Sequence, residues 1–145
     1  MRVFIENEAG SNKKNLHNEK SLEYKGTVTI SRKYPFPYGF VLGTTSGDGD
    51  NVDCFVITGR KLKTSQIVEC EPIGIMEQIE DDEEDHNILA KLSGEEAVID
   101  ELTKRQLTEF VSHAFDHLVE KGKTVRVGQF LSKEDAEKYI SKCLD

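Results

Sequence analysis

These 145 residues lack a basic excess, a long apolar run and paired cysteines, and each absence removes a class of function. Asp and Glu number 27 against 19 Lys and Arg, a formal net charge of −8. That balance excludes a partner held mainly through a nucleic-acid backbone, which calls for a basic stripe. A small phosphate is still admissible where cations stand between it and the protein. No apolar run exceeds about four residues, against the ~20 needed to span a bilayer, so no membrane partner is expected. The first residues, MRVFIENEAG, carry charge at once and lack the apolar segment of a secretory leader. Cys54, Cys70 and Cys143 are three and widely spaced, with no CxxC pair, which is a poor disulfide framework. Cys54 and Cys70 fall inside strand-like runs and read as small core residues. The expectation is a soluble, cytoplasmic protein with one domain over residues 1–145, large enough for a single core at 37% apolar content.

What is present divides into a β-rich front and a helical back. Residues 2–6, 24–31 (YKGTVTIS), 39–45 (GFVLGTT), 52–58 (VDCFVIT), 67–79 and 87–92 are rich in β-branched and aromatic residues or alternate in polarity. Short strands in close succession with Gly and Pro punctuation predict a closed or nearly closed antiparallel barrel. Residues 8–20 are polar and read as a loop. In the back half, Leu107, Phe110, Val111, Ala114, Phe115 and Leu118 share one helical face. Thr103 with Gln106 reads as that helix's capping box and Gly122 as its stop. A strand at residues 124–127 follows, and Ser132 with Asp135 opens a second helix ending near Leu144. The fold class is therefore mainly β with α.

The chemistry concentrates at Asp48, Asp50 and Asp53, three carboxylates on a Gly-containing turn that leads into a strand. Like charges this close raise one another's pKa unless cations neutralise them. Asp and Gly are also ordinary turn residues. Asp53, however, lies past the turn among Val52, Cys54, Phe55 and Val56, where an unpaired carboxylate is costly. Oxygen-only ligands suit a hard ion. An EF-hand reading fails, with Asp53 where Gly is required and Gly59 where Glu is required, and Mg²⁺ is the better match. Residues 80–85 (EDDEED) follow a strand directly and read either as a solvated acidic loop or as the remainder of a metal cluster begun at Asp48. Tyr34 and Tyr38, stiffened by Pro35 and Pro37, read either as ring packing at the core edge or as phenol donors to phosphate or metal-bound water.

With these residues in view, the chain resembles the family I soluble inorganic pyrophosphatases. Residues 48–53 match the signature D-x-D-[P/E]-[apolar]-D, with Asn51 in place of Pro or Glu. Tyr34, Pro35, Tyr38 and Gly39 match YP-x-x-YG at the family's spacing upstream, and Pro72, Ile73 and Gly74 match its P-[VI]-G strand. Three segments in order and register make coincidence a poor explanation. The resemblance implies a five-stranded OB-like barrel with two flanking C-terminal helices and Mg²⁺-dependent hydrolysis of pyrophosphate to two phosphates, a phosphoanhydride hydrolase. It implies that Asp48, Asp53 and Asp85 bind activating Mg²⁺ and that Glu80 holds a further metal. Asp50 would be the base on a water or hydroxide bridging two metals. Tyr38 would touch phosphate or the water network, Glu6 would be a cleft acid, and Lys13 would hold a phosphate, with Tyr34 beside it. Relatives are commonly oligomers, so a homo-oligomer is open.

The chain departs from the family pattern where phosphate-holding cations are expected. Lys13-Lys14-Asn15 replaces Lys-Tyr-Glu, Gly26 follows Lys25 where Asp-Arg is expected, and Asn87 replaces a Lys. Leu118 and Val119 replace a Tyr-Lys pair. Lys14, Arg32, Lys33 and Lys123 are the candidate replacements. These losses motivate a second reading, a catalytically weakened or inactive relative that binds metal or a phosphate ligand as a regulatory or interaction module. An oligonucleotide-binding barrel is disfavoured by the charge and by the lack of basic residues alternating with aromatics. His113 and His117 stand at i, i+4, but no Glu follows His113 as a zinc hydrolase helix requires. Gly122-Lys123-Thr124 lacks the first Gly of a P-loop.

Overall fold

The computed structural model describes residues 1–116 and 125–145. Among the described residues, nine strands and two helices follow in the order β1 (Arg2–Asn7), β2 (Lys13–His17), β3 (Tyr24–Thr29), β4 (Tyr38–Val41), β5 (Asp53–Val56), β6 (Ile67–Glu80), β7 (Glu83–Glu84), β8 (Asn87–Leu92), α1 (Glu101–His113), β9 (Val125–Leu131) and α2 (Lys133–Cys143). Five of the strands close on themselves. β1 pairs with β4, β4 with β5, β5 with β8 in parallel, β8 with β6, and β6 returns to β1. The expected five-stranded OB-like ring is therefore present, and closure leaves these strands no free edge. β9 and β7 extend it along β6, and β2 with β3 forms a separate two-stranded sheet.

Alternation along the ring strands explains two apolar layers. Cys54, Val56, Ile75, Ile88 and Ala90 point to one side, where α2 contributes Ala136 and Cys143. Phe55, Met76 and Leu89, the intervening residues, point to the other, against Leu107, Phe110, Val111 and Ala114 of α1. Gly39 allows β1 and β4 to approach: a Cβ there would lie 1.8 Å from the Phe4 carbonyl oxygen. All three thiols are free and buried, as expected of Cys54 and Cys70.

Three local expectations are corrected. Residues 13–17, read as loop, form β2, because its partner β3 is exposed along most of its length and neither strand needs an apolar face. The N-cap of α1 is Asp100, whose carboxylate accepts from Thr103 N at 2.8 Å, so the capping pattern begins three residues earlier than Thr103–Gln106 suggests. The strand after α1 runs on to Leu131, since Phe130 and Leu131 pair with Met76 and Ile75. By contrast, Ser132 and Asp135 make the reciprocal capping box. The readings at His117, Leu118, Val119, Gly122, Lys123 and Thr124 lie outside the described residues. Among the described residues, no helix is long and apolar enough to cross a membrane.

Candidate active site

The ends of four ring strands and the loops beside them carry the predicted carboxylates and Tyr38, and bring Tyr34, Tyr38, Asp53, Glu80 and Asp85 to one cavity. Glu6 sits where β1 breaks register with β4, between the pairs Ile5–Gly39 and Asn7–Tyr38. Such a bulge re-aims a side chain, and Glu6 is accordingly 6% exposed instead of facing solvent. One of its carboxylate oxygens, Oε2, accepts from His17 N at 3.0 Å and lies 3.1 Å from His17 Nδ1. Burial, partly offset by Lys14 and the His17 amide, pushes Glu6 up to about 7. Burial also holds His17 below its ordinary value.

Asp48 and Asp50 stand on the loop between β4 and β5. Ser46 Oγ donates to Asp48 Oδ1 at 2.5 Å and Asp50 N donates to the same oxygen at 3.0 Å. Gly49, at φ +89°, supplies the left-handed residue that lets this turn close. Asp50 is held by its backbone, its carbonyl accepting from Ser46 N at 2.7 Å. Its exposed carboxylate acts by charge on Glu6 and Glu19.

A cavity of about 240 Å³ lies next to this loop, its polar lining including Lys14, Tyr34, Tyr38, Asp53, Glu80 and Asp85 and its apolar lining Phe55, Phe110 and Phe115. A second cavity, about 300 Å³, is walled by Asp48 and residues of the 80–85 run, and shares Glu80 and Asp85 with the first. The acidic run therefore shares a cavity with Asp48, while residues 81–84 themselves are exposed. Burial first, then the charges of Asp85 and Glu19, hold the Asp53 carboxyl well above the usual carboxylate range, while a hydrogen bond from Tyr38 acts the other way. Asp85 is also raised, by burial and by Asp48 and Glu80, against its hydrogen bond with Asp53 and the charge of Lys14.

Both phenols stay protonated donors, because burial and the neighbouring carboxylates raise Tyr34 and Tyr38. Their rings stack at 5.6 Å, and Tyr34 packs on Phe110 at 4.6 Å. The Tyr34 hydroxyl accepts from Asn7 Nδ2 at 3.0 Å and the residue is 2% exposed, so ring packing at the core edge describes it while its edge lines the cavity. Lys13 is placed differently from the expectation. Its ammonium donates to Thr29 Oγ1 at 2.8 Å on the exposed side of β2, and the next residue, Lys14, reaches the cavity. Adjacent strand residues face opposite ways, so a one-residue offset exchanges the two lysines. Lys14 Nζ lies 4.6 Å from the centre of the Phe115 ring. Arg32, another candidate replacement, is engaged with Glu109 at 2.9 Å.

Sequence reasoning missed Glu19, which lies inside the polar segment at residues 8–20. Its Oε1 accepts from Asn51 N at 3.0 Å. Burial, then the charges of Asp50 and Glu6, push it up to about 7. No local pattern marks it, because only the turn after β2 brings it beside the β4–β5 loop.

This donor set fits a hard divalent cation. Ionised carboxylates are acceptors without a donor, Asp53 and Asp85 are held above their ordinary pKa by burial and then by neighbouring carboxylates, and Lys14 is the one cationic residue of the lining among the described residues. Among the described residues no three acidic, imidazole or thiol groups already converge as a chelate.

The family model for inorganic pyrophosphatase matches residues 3–145. The inorganic pyrophosphatase of Nanoarchaeum equitans is 33% identical, over 97% of this chain and 92% of its own. That of Sulfolobus acidocaldarius is 30% identical, over 97% and 87%. Among solved structures, an inorganic pyrophosphatase from Coxiella burnetii superposes with a TM-score of 0.85 at 26% identity, covering 99% of this chain and 92% of that one. The Thermus thermophilus inorganic pyrophosphatase superposes with a TM-score of 0.89 at 21% identity, covering 99% and 88%, a likeness of fold.

Proposed function

Because the chain belongs to the inorganic pyrophosphatase family, we propose that it hydrolyses pyrophosphate to two phosphates with Mg²⁺ as cofactor. The observation that carries this reading is the meeting of Asp53, Glu80 and Asp85 with Lys14 and Tyr38 on one cavity, beside the Asp48 turn. Asp48, Asp53, Glu80 and Asp85 are the residues that would hold the cations. When bound, the cations neutralise the substrate's negative charge and make water acidic enough to attack at neutral pH.

The rest of the chemistry belongs to the chain. Asp50 takes the proton of the attacking water as its oxygen bonds to one phosphorus; its exposed, backbone-held carboxylate is an available acceptor. The bridging P–O bond breaks and the second phosphate leaves with that electron pair. Tyr38, kept protonated, donates to a phosphate oxygen or to ordered water. Tyr34 holds Tyr38 in place by stacking and is itself fixed by Asn7. Lys14, in the role expected of Lys13, pairs with a phosphate, so the Lys14→Met variant lowers kcat/KM for pyrophosphate by about 10- to 150-fold, the value of one charge-assisted contact. Lys13→Met changes it less than threefold. A larger loss in Lys13→Met than in Lys14→Met would return the role to Lys13.

The reading is tested by phosphate release from pyrophosphate with and without Mg²⁺. Release that requires Mg²⁺ is expected. Mg²⁺ binding by folded protein without release would favour the non-catalytic reading.

A further inference from the structure

The β4–β5 loop carries two of the carboxylates, yet Asp48 and Asp50 are exposed and on no regular element. What holds the loop is a residue between them and Asp53. Asn51 is 3% exposed, and both ends of its side-chain amide and its backbone N–H are engaged. Its Nδ2 donates to Val41 O at 3.0 Å, its backbone N–H donates to Glu19 Oε1 at 3.0 Å, and its Oδ1 accepts from Lys20 Nζ at 2.6 Å. The same ammonium donates to Thr44 O at 2.9 Å and to Thr45 Oγ1 at 2.8 Å. An ammonium has three protons, and here three acceptors take them, so Lys20 has no donor left for a phosphate. It touches both ends of the loop, before Asp48 and after Asp50.

The contacts nearby continue this construction. Thr44, fully buried, donates from its hydroxyl to Val41 O at 2.7 Å and accepts from Val52 N at 3.0 Å. From the other side the chain end fixes the loop: Thr45 N donates to Cys143 O at 2.7 Å and Thr45 Oγ1 to Asp145 Oδ1 at 2.6 Å. Asn51 also stands at the one signature position where this chain departs, and a Pro there would offer no N–H to Glu19.

We propose that Lys20, acting with Glu19 through Asn51, is a positioning residue that sets the path of the 48–53 backbone and so aims Asp48, Asp50 and Asp53 before any cation arrives. This rests on the pyrophosphatase reading for its kinetic consequence, though not for its structural one. A loop ordered in advance spares the cation the cost of ordering it. The effect therefore falls on the cation requirement more than on the recognition of pyrophosphate.

The test is Lys20→Met, which keeps most of the stem and removes all three donors. In cation-free protein, amide exchange at Asp50, Asn51 and Val52 accelerates at least tenfold, while β1 and β8 keep wild-type protection. The Mg²⁺ concentration for half-maximal hydrolysis rises about tenfold, with KM for pyrophosphate at saturating Mg²⁺ within twofold of wild type. Unchanged exchange at those three amides, or acceleration spread equally through β1 and β8, overturns the proposal, as does an unchanged Mg²⁺ requirement in an active enzyme. Should K20M not fold, Glu19→Ala and Glu19→Gln decide by the same exchange measurement. Gln retains the acceptor for Asn51 N–H and the protection, Ala loses both, and equal behaviour of the two overturns the assignment. A wild-type chain without hydrolysis would dismiss the pyrophosphatase reading and leave the exchange result standing.

Discussion

Asp50→Asn releases phosphate from pyrophosphate about 10²- to 10⁴-fold more slowly than the wild-type chain, the range expected for loss of a general base, and its thermal midpoint moves by no more than about 2 °C. The separation of these effects follows from how Asp50 is held. Its carbonyl accepts from Ser46 N, and its amide donates to Asp48 Oδ1, so the backbone does the structural work. Asn keeps the size and the backbone while losing the charge that accepts a proton. Replacing Asp48 would not separate them, because its Oδ1 receives two of the hydrogen bonds that close the turn. Steady-state phosphate release at saturating Mg²⁺, with a thermal melt of each protein, checks the result. An Asp50→Asn enzyme within threefold of wild type would remove Asp50 from the role of base.

Without divalent cations the protein loses stability as pH rises from 5 to 7.5, and Mg²⁺ restores it. Glu6 is raised from 4.5 to about 7 and Glu19 likewise. A folded carboxyl with a raised pKa keeps its proton where the unfolded chain has already released it. Its contribution is therefore complete below pH ~4.5 and fades as pH rises toward 7. For Glu6, 6% exposed, a shift of this size corresponds to about 3 kcal/mol. Asp53 and Asp85 are raised as well and act in the same direction. His17, held low, acts in the opposite direction as pH falls through its unfolded value of 6.5. Glu69 and Asp100, both lowered, also run the other way, but at the surface. Cations reverse the loss because they favour the ionised carboxylates, contributing about 2.7 kcal/mol at a hundredfold excess over Kd. Thermal melts in chelator from pH 5 to 7.5, repeated with Mg²⁺, measure both. An apo midpoint that rises across this range, or one that Mg²⁺ leaves unchanged at pH 7.5, would sink the prediction.

How much of this was legible beforehand differs by residue. The strands of the ring were readable because each buries residues on both faces, so 52–58 and 87–92 carry dense apolar signals and 87–92 coincides with β8. β2 was not, because an exposed two-stranded sheet imposes no apolar pattern on Lys13–His17. The carboxylates at 48, 50 and 53 are close in the chain, so their proximity is a matter of local geometry that spacing reveals. Tyr38 was likewise marked, by the prolines around it.

By itself the sequence determined the fold class, the acidic site and the family motifs, since each depends on interactions within a few residues or on a pattern repeated along an element. Tertiary structure decided the rest. It placed Lys14 at the cavity and Lys13 on Thr29, a choice of strand face that one residue of register reverses. It also set Glu19 and Lys20 against Asn51, more than 30 residues away in the chain. Such contacts leave no periodic trace, because a single side chain at the end of a turn meets its partner only after the ring of strands has closed.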